Sequence, residues 1–374
     1  MHLPRPAHLI GLVLAACAGE TRAPEPAGAP PGSPAASPPV LIERRVALMG
    51  TSLEVRVEAE TRLAALEASE LAVRALEAAD ARLSTWRDDT ELARLNRAPV
   101  GERFELSEEL AADLGEARIW WRASGGAFDP AVGALVEAWG LRTGGRLPSA
   151  DELRSARVPD GFAAFEQDGR SAVRTHAALR LEEGGFGKGA GVDAALAELR
   201  GAGVRSATLD LGGQVASIGA AEWRLADPRE RTRAVLALAL SGGSLATSGN
   251  SERAIVAGGI RRSHVLDPRT GEPAADFGSL SVWVEGLPRS ATAADCLSTA
   301  LYVMGPDAAL AWTARQQAER PSRGHIEVLV LEAQPSDRPG GALRARATAG
   351  LFERARPLVS DLRLERYEPG AADR

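Results

Sequence analysis

Lysine is almost missing: Lys188 is the only one in 374 residues, and every other Lys/Arg-type side chain is arginine. Cysteine is scarce as well. Cys17 and Cys296 are the only two, which excludes a disulfide framework. The five histidines make no Cys/His cluster with zinc-ligand spacing. No G-x-S-x-G elbow is present, which removes the common serine-hydrolase signature. No internal apolar run is long enough to cross a bilayer, and no repeat is visible. The net charge is −6 with basic residues scattered, which argues against nucleic-acid binding.

The lone lysine sits in Glu182-Glu183-Gly184-Gly185-Phe186-Gly187-Lys188-Gly189. Ala177–Leu181 before it reads as a strand. In Ala190–Leu199 after it, Val192, Ala195, Leu196 and Leu199 fall on one helical face. Strand, glycine turn and helix start together make an anion-binding device: the backbone can approach closely, and free N–H groups point at the ligand. A surface turn with a solvated lysine is the plainer alternative. Gly189 stands where a P-loop needs Ser or Thr, so that motif fails. Gly185, Gly187 and Ala190 meet only the permissive form of the dinucleotide fingerprint, with Asp210 ending the next strand; a Rossmann dehydrogenase is the runner-up.

Arg5 and His8 precede a short apolar run, Leu9–Ala16, that ends at Leu14-Ala15-Ala16-Cys17. Residues 1–17 read as a lipoprotein signal closed by a lipobox, with an ordinary secretion signal as the alternative. Residues 18–39, rich in Pro, Ala, Gly and Ser, read as a tether, and residues 40–374 as the folded domain. The expected location is the bacterial cell envelope, with the membrane reached through lipidated Cys17.

Along the domain, Val46–Glu58 reads as two strands around Met49-Gly50-Thr51. Leu63–Leu83 is helical, with Leu63, Leu66, Leu71, Val73, Leu76 and Leu83 at helical spacing. Helices follow at Asp89–Leu92 onward, Ser107–Trp121 and Ala131–Trp139. Asp168-Gly169 and Gly258-Gly259 mark hairpins, the latter with Arg262–Leu266 as its second strand, and Ser206–Gly219 alternates with an interruption at Gly212-Gly213. Ala291–Met304 and Pro306–Arg315 are late helices. Helices early, strands late and several hairpins predict an α+β fold with mostly antiparallel sheet flanked by helices.

On the apolar helix Ala293–Leu301, Asp295 and Thr299 are four apart and share a face. Carboxylate, hydroxyl and carbonyl oxygens suit a hard cation. The spacing equally allows Thr299 to bond back to its own helix with Asp295 exposed. His264 precedes Asp267-Pro268, and a structural role is open to it too. Trp86 and Trp139 could be core, or could stack on a ring.

These blocks together resemble the ApbE family of FAD:protein FMN transferases. In order they are Met49-Gly50-Thr51; Leu83-Ser84-Thr85-Trp86 with Glu91–Asn96; Gly126–Pro130 through Trp139-Gly140; the glycine–lysine loop with Val192-Asp193; Leu211-Gly212-Gly213; Ala246–Gly249 with Glu252-Arg253; His264–Gly271; and Ala294–Ala300. The resemblance implies Mg²⁺-dependent transfer of FMN from FAD to a Ser or Thr of an acceptor protein, with AMP released. Carried over by motif, Asp295, Thr299 and backbone near Ser298 and Gly185 hold the metal. Lys188 and the helix start hold phosphate. Met49, Trp86, Ala127, Phe128, Asp129, Glu182 and Val265 line the FAD site, and His264 handles a proton or the phosphate, with Asp295 as its catalytic partner. FAD hydrolysis to FMN and AMP, or flavin binding without catalysis, are the alternatives. The chain departs from the family at Glu182-Glu183 (Asp is common there), Ala190 (Tyr), Gln214 (Asp) and Asn250-Ser251 (Asp-Tyr). The anchor has its own test. Wild type is expected to enter the detergent phase on phase partition and Cys17→Ser to stay in the aqueous phase; equal partition would contradict lipidation.

Overall fold

Residues 38–250, 254–319, 324–333 and 342–370 are described by a computed structural model. β1 (Val40–Leu48) and β2 (Thr51–Ala59) form a hairpin whose turn puts Met49 at φ 50°. α1 (Arg62–Leu83) starts at Thr61, whose hydroxyl accepts from the Ala64 N–H at 3.1 Å. α2 (Glu91–Arg97) is capped in the same way by Thr90. Next come β3 (Arg103–Glu105), α3 (Glu108–Ala123) with Ser107 as cap, α4 (Gly133–Ala138) and α5 (Ala150–Ala156). β4 (Phe165–Asp168) and β5 (Ser171–Arg174) make the hairpin expected at Asp168-Gly169.

α6 (Gly187–Gly201) precedes β6 (Ser206–Leu211) and β7 (Gln214–Ile218). β8 (Ala220–Asp227), β9 (Glu230–Ser241) and β10 (Ser244–Gly249) lead to the small hairpin β11 (Ile255–Ala257) and β12 (Ile260–Arg262). β13 (Gly278–Glu285), α7 (Ser290–Met304), α8 (Pro306–Glu319) and β14 (His325–Ala333) follow. The last stretch adds β15 (Leu343–Ala347), α9 (Ala349–Arg354), β16 (Ala355–Pro357) and β17 (Leu362–Arg366).

The main sheet runs β1-β2-β6-β7-β10-β13-β14-β15-β17 and is antiparallel except for the β15–β17 pair. It is a partition with two apolar faces. Leu280, Val282 and Val284 point toward α3, α7 and α8, while Trp283 points toward Leu236 and Leu238 of the separate β16-β9-β8 sheet. Alternate residues of one strand therefore feed two cores. Under β1, β2 and β6, α1 and α6 make a third. This is the α+β architecture the sequence predicts, and it removes the doubly wound dehydrogenase alternative.

Four sequence expectations need correction or fall outside the described residues. Ala177–Leu181 is not a strand. Side chains hold its backbone instead: Asn96 exchanges two bonds with Leu181 (2.7 and 2.8 Å), and the Arg174 guanidinium donates to the Leu179 carbonyl (3.0 Å). The strand after Gly258-Gly259 stops at Arg262, not Leu266. Leu63, Leu66 and Leu71 are 65, 40 and 40 % exposed, while Ala65, Ala68, Ala72 and Ala79 are buried. Val73, Leu76 and Leu83 are buried as their spacing predicts, and Gly191 lets α6 meet Leu76, since a Cβ there would lie 2.9 Å from Leu76 and 3.4 Å from Ala79. The signal, Cys17, the tether and the Glu252-Arg253 block lie outside the described residues.

Two helices, α6 and α7, approach closely through Gly189. A Cβ on Gly189 would lie 2.4 Å from the Ala291 carbonyl oxygen and 2.6 Å from the Thr292 Cα, both backbone atoms that cannot swing away. Gly189→Ala is expected to cost about 3 kcal/mol in urea unfolding, at the upper end for overpacking. An unchanged midpoint would show that the two helices can part freely.

Candidate active site

α6 and α7 meet at their first turns, and each is closed by a carboxylate from the other. Asp193 on α6 accepts from the Ala291 N–H (2.9 Å), the Thr292 N–H (2.8 Å) and the Thr292 hydroxyl (2.7 Å). Asp295 on α7 accepts from the Gly189 N–H at 2.9 Å and from the Lys188 N–H. Neither helix carries a side-chain cap of its own. The orphan N–H groups of both first turns are therefore satisfied across the interface. Burial pushes both carboxyls up from their ordinary range, and the N–H donors with Lys188 (for Asp295) or Arg289 (for Asp193) pull them back. Asp295 is 3 % exposed, which overturns the exposed alternative for it.

The other predicted metal-side residues gather here. Lys188 Nζ is 4.0 Å from Asp295 Oδ1. A Cβ on Gly185 would lie 3.2 Å from Thr299 Oγ1 and 3.1 Å from the Phe128 ring, so Gly185, Thr299 and Phe128 share one spot. The Thr299 hydroxyl donates to the Asp295 carbonyl at 3.3 Å and keeps its lone pairs. Ser298 is buried, and its hydroxyl bonds Ser248 (2.9 Å) and the Asp295 carbonyl (3.0 Å). Met49 lies against the start of α6, its Cε 3.8 Å from where a Gly187 Cβ would stand. Among the described residues no group of three or more His, Cys, Asp or Glu could cage a metal. One carboxylate, one hydroxyl and nearby backbone oxygen fit Mg²⁺, which keeps waters and phosphate oxygens in its shell.

A second cluster forms the rim. Glu182 is bonded by the Thr85 hydroxyl (3.1 Å) and by Arg142 (2.6 Å). Glu183 takes the Thr85 hydroxyl at 2.5 Å. Arg142 also reaches the Thr85 carbonyl (2.7 Å) and lies 4.9 Å above the Trp86 ring. Trp86 is 62 % exposed, whereas Trp139 is core and donates to the Gly271 carbonyl.

Asp129 is committed to the fold: its oxygens accept from Ala131 N–H (2.7 Å), Phe162 N–H (3.0 Å) and Trp121 Nε1 (3.1 Å). Burial raises its carboxyl to about 6. Ala127, Phe128 and Val265 are buried in one apolar core with Phe186, and half-buried His264 is the residue before Val265.

Sequence reasoning missed Asp193, Arg142 and Thr85 as working parts. A signal existed for the first. Gly189–Asp193 and Ala291–Asp295 repeat one pattern, a small residue four before an aspartate, at two helix starts.

Residues 49–321 match the ApbE family. A Rhodobacter capsulatus FAD:protein FMN transferase is 36 % identical over 58 % of this chain, but the match spans only 43 % of that relative. A Treponema pallidum protein of the same name is 30 % identical over 85 % of this chain and 90 % of its own. Among solved structures, the Thermotoga maritima ApbE protein superposes with TM-score 0.68 at 27 % identity, covering 77 % of this chain and 94 % of its own. The apo Pseudomonas stutzeri flavinyl transferase ApbE gives TM-score 0.70 at 24 % identity over 85 and 97 %, a likeness of fold.

Glu182 supplies a pH prediction. Burial, then the neighbouring Glu183 charge, raise its carboxyl from 4.5 to about 7, against the pull of Arg142. Between those values the folded chain holds a proton that the unfolded chain has released, so this group's contribution falls as pH rises through the window. Glu182→Gln is expected to flatten the fall in urea-unfolding stability from pH 5 to 7.5, by up to about 3 kcal/mol. An unchanged slope would contradict the assignment.

Proposed function

The chain belongs to the ApbE family, and we propose that it moves FMN from FAD to a Ser or Thr of an acceptor protein. The observation that carries this reading is the meeting of Asp295, Thr299, Gly185, Lys188 and the Gly189 N–H at one helix junction. A pyrophosphate needs fixed positive charge on one side and a cation on the other, and phosphoryl transfer is largely positioning and charge neutralisation. The Lys188 ammonium holds phosphate oxygens, because the Gly189 N–H is already taken by Asp295. Asp295, Thr299 and the Gly185 backbone would hold Mg²⁺. That ion, when bound, supplies charge neutralisation on the pyrophosphate.

The acceptor hydroxyl attacks the FMN phosphorus, and the pyrophosphate bond breaks to release AMP. His264 takes the hydroxyl proton. Supporting this is its place beside Val265, which packs in the same core as Phe128. Arg142 lies over Trp86, whose exposed indole offers a ring face. The envelope location also belongs to the proposal: lipidated Cys17 tethers the domain at the membrane surface, where an extracytoplasmic acceptor is met.

The test is incubation of the protein with FAD, Mg²⁺ and a candidate acceptor, read by in-gel flavin fluorescence and AMP release. Fluorescent acceptor with AMP is expected. AMP alone would mean hydrolysis, and neither would mean binding only. Asp295→Asn keeps an acceptor for the Gly189 N–H yet loses the charge, and is expected to abolish AMP release. Lys188→Ala is expected to weaken FAD binding about tenfold or more, as loss of a charged hydrogen-bond donor. Full activity in the first variant and unchanged affinity in the second would overturn the site.

A further inference from the structure

The sheet has an unpaired edge strand with an unusual order of charges. β1 ends the nine-stranded sheet, and among the described residues nothing pairs with its outer edge. Nine residues of open edge invite strand addition unless charge or bulges forbid it. Here the charges Glu43-Arg44-Arg45 sit at the middle of Val-Leu-Ile-Glu-Arg-Arg-Val-Ala-Leu, flanked by apolar residues on both sides.

We propose that β1 pairs antiparallel with β1 of a second copy, about a two-fold axis at Arg44. Opposed residues of paired strands point to the same face, so a residue of one face can only meet a residue of that face. On the outer face, Glu43 already opposes Arg56 and Arg45 opposes Glu54 within the hairpin, with ion pairs at 3.2 Å (Arg56–Glu43) and 3.0 Å (Arg45–Glu54). With the axis at Arg44, Glu43 meets the second copy's Arg45, and Arg45 meets its Glu43. Each row across the four strands then reads Arg56, Glu43, Arg45, Glu54, with signs alternating throughout. Sliding by two residues either way puts Glu43 against Glu43 or Arg45 against Arg45. On the inner face, Ile42 meets Val46, and their hairpin partners Val57 and Leu53 extend that row with apolar side chains only. The cost is Arg44 facing its own copy, which Glu70, 2.7 Å from each Arg44, offsets.

The neighbouring surface fits the same partner. A shallow groove of about 870 Å³ runs beside β1, lined by Ile42, Leu66 and Leu71 among ion-pairing residues. Leu41, Leu63, Leu66 and Leu71 are 40–65 % exposed, although α1 has alanines inside to spare. Apolar side chains left outside beside an open strand edge are those a symmetric partner would cover.

Sedimentation of the full chain tests this without reference to catalysis. Wild type is expected to be a reversible dimer. Glu43→Arg alone places Arg against Arg in both rows, and Arg45→Glu alone places Glu against Glu. Each is expected to raise the dimer dissociation constant about 30-fold, because two cross-strand pairs change from attraction to repulsion. An equimolar mixture of the two variants restores both rows and is expected to recover a heterodimer of wild-type affinity. Hydrogen exchange is expected to show β1 amides protected at dimer-forming concentration and released on dilution. The proposal is overturned by a wild-type monomer, by single variants that associate as wild type does, or by a mixture that stays monomeric. Concentration-independent protection of β1 in a monomer would assign the edge to another occupant and overturn it equally.

Discussion

The reciprocal closure of two helix starts by two buried carboxylates is the constraint on which the candidate site depends. A buried carboxylate without partners costs several kcal/mol. Asp193 has three donors, and a hydrogen bond to a charged group contributes about 1.5–3 kcal/mol each. The positive end of a helix adds about 0.3–2 kcal/mol more. Gain and cost are of similar size, which agrees with both carboxyls staying above their usual range while remaining bonded. The arrangement fixes direction more than it adds stability. It holds Asp295 Oδ2 on the Gly189 N–H and leaves Oδ1 on the Lys188 side. Thr299, one turn further along α7, is carried to Gly185 by the same contact.

Close approach is what makes this possible, and small residues permit it. Gly189 against Ala291 and Gly191 against Leu76 and Ala79 let α1, α6 and α7 lie side by side. On α1 the inward face mixes alanines with Val73, Leu76 and Leu83, while Leu63, Leu66 and Leu71 turn outward.

Much of the fold was legible in the sequence because its signals are local. Thr90 and Ser107 cap helices that begin where the sequence places them, and Asp168-Gly169 closes the hairpin predicted there. The pairing of Asp295 with the lysine loop was legible through motif chemistry. What failed depends on long-range partners. Ala177–Leu181 has a strand's composition, but Asn96, far away in sequence, takes the bonds that a neighbouring strand would have supplied. The spacing of α1 gave the right helix and the right face in its second half, where Val73, Leu76 and Leu83 are buried, but not at Leu63, Leu66 and Leu71, where alanines face inward. Arg142 carried no signal at all, since an arginine in a glycine-rich turn reads as solvated until Glu182 and Trp86 are seen beneath it.

The most direct test of the central claim is anomalous diffraction from crystals of this protein grown with Mn²⁺ in place of Mg²⁺. A single strong peak is expected between Asp295 Oδ1, Thr299 Oγ1 and the Gly185 backbone, with Asp193 still bonded to the first turn of α7. A peak elsewhere, or one at this place with the Asp193 and Asp295 closures broken, would contradict the account.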